Sequence, residues 1–148
     1  MEKNKINIRE FFHKRIVIDT SVLLKSFFTE EEGSAFVDEL FDMHMRKELT
    51  LMATPLVVFE FMNVLSKSSN DFEFVKNAFI KFRKLGLALI ELDDYYAISA
   101  AKNACDNKNV SYYDASYYAL AKDMDAVFLT ADRKFYEQMK GATNIQLF

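Results

Sequence analysis

Short, almost wholly apolar runs alternate along this chain with longer stretches whose apolar positions recur at helical spacing. The runs Arg15–Asp19, Leu49–Ala53, Ala88–Leu92, Ala126–Thr130 and Asn144–Leu147 are rich in β-branched and apolar residues and predict buried strands. Between them the period changes. Thr20 or Ser21 can cap a short helix to about Phe27. A second helix is expected from about Thr29 to Lys47, with Phe36, Val37, Leu40, Phe41 and Met45 on one face and Thr29 and Glu32 as a capping box. Thr54 before Pro55 reads as the start of a helix to about Lys67. Asp71 starts another, closed by Gly86. Asp93 or Asp94 starts the helix carrying Cys105, Ser111 one to about Met124, and Asp132 a short one to about Met139.

Strands that alternate with helices imply an α/β fold, a parallel sheet covered on both faces. Residues 1–14 are polar and mixed in charge, with Ile6, Ile8, Phe11 and Phe12 interspersed, and read as an N-terminal extension with a short helix. Residues 15–148 read as one domain. Only three glycines and one proline occur, which argues against a turn-rich all-β fold. The lone cysteine, Cys105, cannot form an internal disulfide and reads as a small buried or half-buried residue. His13 and His44 lie in no nucleophile motif. One cysteine and no secretory signal point to a reducing, cytoplasmic setting, and no apolar run is long enough to span a bilayer.

Four carboxylates interrupt this apolar pattern. Asp19 closes the first strand, Glu60 lies in the mostly apolar stretch Pro55–Leu65, Asp114 sits among tyrosines and alanines, and Asp132 follows the run that ends at Thr130. Charged side chains rarely occupy such segments without a partner. Few basic residues lie nearby, and a divalent cation is the simplest partner for acids that converge. In open α/β sheets sites form at the carboxyl ends of strands, where Asp19 and Asp132 fall; Glu60 and Asp114 lie within the first two turns of their helices. Net charge is −3 and becomes +1 if these four acids are set aside, so charge alone does not exclude nucleic acid.

Each acid has a plainer reading. Asp19 and Asp132 can cap helices, and Asp114 can be a first-turn acid favoured by the helix dipole. Glu60 is harder to explain that way, because it shares a face with Leu56, Asn63 and Val64. Asn63, Ser21 and Thr130 are candidates to hydrogen-bond the site carboxylates. Asp123, Asp125, Asp93 and Asp94 belong at the other end of the sheet or at caps. Tyr112, Tyr113, Tyr117 and Tyr118 read first as core or interface, with stacking on unpaired bases as the second possibility. Lys25, Lys67, Arg133 and Lys134 could reach phosphate at a site rim, although solvated cations are the plainer reading.

The motifs Val17-Ile18-Asp19-Thr20-Ser21, Pro55 through Glu60 to Asn63 and Leu65, Tyr113-Asp114-Ala115 to Ala121, and Leu129 through Asp132 to Phe135 together resemble those of PIN-domain ribonucleases, in family order. The likeness is greatest to the VapC-like toxins of toxin–antitoxin pairs and runs from about Arg15 to the C-terminus. It implies a three-layer α/β/α sandwich around a mainly parallel sheet of four to five strands. It also implies a metal-dependent endoribonuclease holding one or two Mg²⁺ or Mn²⁺ ions through Asp19, Glu60, Asp114 and Asp132. Oxygen-only ligation favours those ions over Zn²⁺. An RNA substrate, a small antitoxin protein and a homodimer are the implied partners, with no membrane. An RNA-processing nuclease without an antitoxin and a non-catalytic binding module of the same fold are the alternatives. Two departures stand out: the segment before Arg15 is longer than in such compact toxins, and Lys134 stands where some members carry a further acid.

Overall fold

The computed structural model describes residues 6–28, 32–139 and 141–148. Its sheet has five strands, β1 (Arg15–Ile18), β2 (Thr50–Ala53), β3 (Ala88–Leu89), β4 (Val127–Thr130) and β5 (Ile145–Leu147), in the order β3-β2-β1-β4-β5. All four pairings are parallel. Seven helices connect them: α1 (Thr20–Lys25), α2 (Ser34–Met45), α3 (Leu56–Ser68), α4 (Phe72–Lys84), α5 (Asp94–Asp106), α6 (Tyr112–Asp123) and α7 (Arg133–Gln138). The expected α/β/α architecture is what forms.

The strand order fixes the layers. From β1 the chain steps outward to β2 and then β3, so right-handed crossovers put α1–α4 on one face. From β3 it returns across the sheet to β4 and goes on to β5, which puts α5–α7 on the other. The reversal lies between β1 and β4, where a crevice opens beyond the strand ends. Burial agrees: Ile16, Val17 and Ile18 of β1 have no exposed surface, and neither do Phe128 and Leu129 of β4.

Local chemistry sets several boundaries. Asp71, Asp93 and Ser111 each accept a backbone N–H in the first turn of α4, α5 and α6. Asp19, not Thr20 or Ser21, caps α1, accepting the Val22 N–H. Pro55, not Thr54, is the residue before α3. β3 is shorter than the expected Ala88–Leu92. It is an edge strand with one neighbour, and its ladder stops where the chain turns toward α5.

The expected cap Thr29 lies outside the described residues. The helix itself begins at Ser34, after Gly33 with a φ of 94°. A Cβ at Gly33 would lie 2.3 Å from the Phe148 ring, so both backbone and space call for glycine. Phe148 stacks on Phe36 at 4.7 Å, and Phe36 meets Phe11 edge-on at 6.3 Å. Phe11, in a 3₁₀ turn at Ile8–Phe11, is fully buried, so this turn before β1 is anchored in the core by one ring. Cys105 is exposed on α5, not buried or half-buried. That helix turns Tyr96 and Ala100 inward instead. Among the described residues no helix is long and apolar enough to cross a membrane.

Candidate active site

The four acids come together. Asp19, Glu60, Asp114 and Asp132 all line one open cleft of about 320 Å³, with Thr20, Ser21, Asn63 and Tyr117. The fold accounts for this. Asp19 directly follows the central strand, Asp132 follows its neighbour β4 by two residues, and Glu60 and Asp114 approach from helices on opposite faces of the sheet. Asp123 accepts a 2.5 Å hydrogen bond from the Tyr96 hydroxyl.

Each carboxylate is held by donors from its surroundings. Asp19 Oδ1 accepts from Ser21 Oγ at 2.5 Å and from the Val22 N–H at 3.1 Å, and Oδ2 accepts from Thr130 Oγ1 at 2.5 Å. Ser21 also accepts the Ala131 N–H at 2.9 Å, and Thr130 the Asp132 N–H at 3.0 Å. The two hydroxyls thus stitch the end of β1 to the end of β4 through one carboxylate. The capping role of Asp19 and its place in the cleft are the same geometry, not rival readings.

Glu60 Oε2 accepts two hydroxyls, Thr20 Oγ1 at 2.5 Å and Tyr117 Oη at 2.7 Å. Asp114 Oδ2 accepts from Ser111 at 2.6 Å, and Asp132 Oδ1 caps α7 through the Phe135 N–H at 3.0 Å. Among the described residues the second oxygens of Glu60, Asp114 and Asp132 have no hydrogen-bond donor, which leaves one acceptor oxygen on each outside these bonds. The ion pairs among the described residues lie elsewhere, at Arg46, Lys76 and Lys102.

The electrostatics follow. Asp19 is half-buried as a residue, but protein packs closely around its carboxyl. Burial pushes its pKa from 3.8 up to about 6, despite the lowering effect of the Ser21, Thr130 and Val22 hydrogen bonds, and the Glu60 charge adds to the rise. No cation of the described residues is among the groups that set this value. Burial, then the Glu60 charge, raises the Tyr117 phenol far above its ordinary range, so Tyr117 remains a donor to Glu60.

Sequence reasoning did not find Thr20 and Tyr117 as Glu60 partners. Tyr117 and Tyr118 are buried as expected, at 1% and 7% exposure, but Tyr113 is 59% exposed. Asn63 lines the cleft, yet its side chain bonds to none of the acids among the described residues; its carbonyl accepts from Ser66. No three of these acids are drawn into a ready-made ligand cage, again among the described residues. The donor set still fits an oxygen-seeking ion, because Mg²⁺ keeps several waters and needs only one or two carboxylates with a substrate phosphate.

The PIN domain family model matches residues 16–140. The chain belongs to the PIN domain family. Solved structures share this PIN fold. PAE2754 from Pyrobaculum aerophilum has a TM-score of 0.63 at 22% identity, over 88% of this chain and 90% of that one. VapBC2 from Rickettsia felis, bound to a DNA fragment from its promoter, has a TM-score of 0.70 at 14% identity, over 90% and 98%. VapC20 from Mycobacterium tuberculosis, a sarcin-ricin loop cleaving toxin, has a TM-score of 0.64 at 14% identity, over 88% and 98%. No curated protein matches the sequence of this PIN domain.

Proposed function

We propose that this PIN domain is a metal-dependent endoribonuclease and the toxin of a toxin–antitoxin pair. The observation that carries the nuclease reading is the cleft itself. Four carboxylates from two strand ends and two helices line it, and three of them keep an oxygen without a hydrogen-bond donor among the described residues. Helix capping by Asp19 and Asp132 does not call for all four acids to share one cleft. Clustered acids repel each other, and the raised pKa of Asp19 records what its burial costs.

Mg²⁺ or Mn²⁺, held by Asp19 and Glu60 with Asp114 and Asp132 completing the site, would polarise the phosphate and acidify a water. The chain's own residues do the positioning. Ser21 and Thr130 hold Asp19 at the switch point, and Thr20 and Tyr117 fix one oxygen of Glu60 and leave the other for the ion.

The toxin reading is supported by the fold shared with VapBC2 and VapC20. It carries a small antitoxin protein, a homodimer and a cytoplasmic setting with it. An antitoxin arginine would suit the acid cleft, because its planar fork pairs with a carboxylate at two points. The test is cleavage of RNA by wild-type and Asp19→Asn protein with Mn²⁺ and with EDTA, alongside growth of cells expressing each. Cleavage and growth arrest by wild type alone, relieved by co-expression of an antitoxin partner if the locus encodes one, is the expected result. Equal cleavage by both proteins would remove the site. Cleavage without growth arrest would favour a processing nuclease.

A further inference from the structure

The sheet edge at β3 has features that the acid cleft does not use. β3 has one neighbour, β2. In their parallel ladder Ala53 is level with Leu89, and the Ile90 N–H donates to the Ala53 carbonyl at 2.9 Å. Backbone groups alternate along a strand, so Ala88 and Ile90 turn theirs to β2, and Leu87 and Leu89 turn theirs outward. The outward groups have no partner among the described residues. Residues 87–90 include neither a proline nor a charge, two devices that commonly protect an open edge. Beside them a notch of about 300 Å³ is lined by Phe82, Arg83, Gly86, Leu87 and Leu89. Phe82 is buried, Arg83 is exposed, and Arg83 forms no ion pair among the described residues. His44 holds the start of this edge in place. Its Nδ1 accepts the Leu51 N–H at 3.2 Å, and its Nε2 donates to the Gly86 carbonyl at 3.1 Å.

Free N–H and C=O groups two residues apart match the spacing of a further strand, which adds to an edge through its backbone and is selected by its side chains. A helix keeps its backbone groups for itself and could not use them. The notch adds an apolar floor from Phe82, Leu87 and Leu89 and one cation, Arg83, in the basic last turn of α4. A second copy would bring its own Arg83 and Lys84 to the same edge, like charge against like. We infer that β3 docks an extended, acidic segment of a partner protein as a sixth strand. Its backbone pairs with Leu87 and Leu89, an apolar side chain enters the notch, and a carboxylate meets Arg83. The notch shares no lining residue with the acid cleft, so this surface does not rest on the nuclease reading.

Fluorescence anisotropy with a labelled, end-blocked octapeptide of valine and threonine carrying one central aspartate, beside the same peptide with lysine there, tests this. Wild type should bind the aspartate peptide saturably and the lysine peptide more weakly. Arg83→Glu should reverse that order, by roughly 2- to 5-fold for one exposed ion pair. A fully N-methylated aspartate peptide, which can donate no backbone hydrogen bond, should not bind. Leu89→Pro removes an outward N–H that β2 does not use; it should keep the wild-type circular dichroism and lose the peptide. Should that variant not fold, the N-methylated peptide carries the same test on the unaltered chain. In wild type the bound peptide should slow amide exchange at Leu87 and Leu89 and leave Ala88 and Ile90 as they were. No binding by wild type, binding of the N-methylated peptide, binding by folded Leu89→Pro, an order that Arg83→Glu leaves unchanged, or slowed exchange without the alternation would overturn the inference. A dimer on gel filtration that Leu89→Pro dissolves would also overturn it, and would assign the edge to a second copy.

Discussion

Replacing Asp19 by Asn should stabilise the metal-free protein, and by more as pH rises. Burial raises the Asp19 pKa from 3.8 to about 6 in the folded chain. A raised folded pKa contributes stability that is fully present below the unfolded value and is lost as pH rises through about 6. At ~1.36 kcal/mol per pH unit, the wild type loses at most about 3 kcal/mol between acid and neutral pH. Asp19 is only half-buried as a residue, so solvent screening should reduce this to roughly 1–2 kcal/mol. Asparagine does not titrate. It also gives up part of the hydrogen bonding to Ser21 and Thr130, a cost that is nearly constant with pH. Thermal melts of both proteins in EDTA from about pH 4 to 8 should show the Asn form gaining on the wild type by several degrees, at roughly 2–4 °C per kcal/mol for a chain of this size. Other titrating groups largely cancel between the two proteins. A gap that does not change with pH would refute the reasoning. So would a wild type that gains on the variant as pH rises.

Four further outcomes follow from the same geometry. Mg²⁺ or Mn²⁺ should raise the wild-type melting temperature by mass action, and the rise should fade in Glu60→Gln; equal rises would put the ion elsewhere. Tyr117→Phe removes the 2.7 Å bond to Glu60 and should cost about 1–3 kcal/mol in urea unfolding, with weaker metal binding by titration. Gly33→Ala should destabilise by roughly 1–3 kcal/mol, because its φ of 94° and the Phe148 ring both oppose a Cβ; an unchanged urea midpoint would contradict this. Cys105→Ser, at an exposed position, should leave RNA cleavage and melting temperature within error of wild type.

What the chain disclosed beforehand was its periodicity, and with it most of the fold. The β1 run of Ile16, Val17 and Ile18 has no polar alternation because both of its faces are covered. Asp19 and Asp132 stood out because a strand end followed by a helix start is a switch-point position in this topology. The partners of Glu60 were not legible. Thr20 and Tyr117 lie 40 and 57 positions away, and helical spacing names the face a residue occupies but not what faces it. The four tyrosines before the end of α6 have similar patterns, yet Tyr117 is buried and Tyr113 exposed, since only packing against the sheet separates them. Cys105 went the other way for a similar reason: small residues crowd α5, and Ala100 takes the inward position.

The central claim is that Asp19, Glu60, Asp114 and Asp132 meet around a cation. Crystals soaked in Mn²⁺ and measured for anomalous scattering test it most directly. The predicted result is a peak within the cleft, about 2.1 Å from oxygens of Asp19 and Glu60, with Asp114 or Asp132 contributing directly or through water, and no such peak in Asp19→Asn crystals. A strong peak elsewhere on the protein, or an unliganded cleft in a form that still cleaves RNA, would contradict the account.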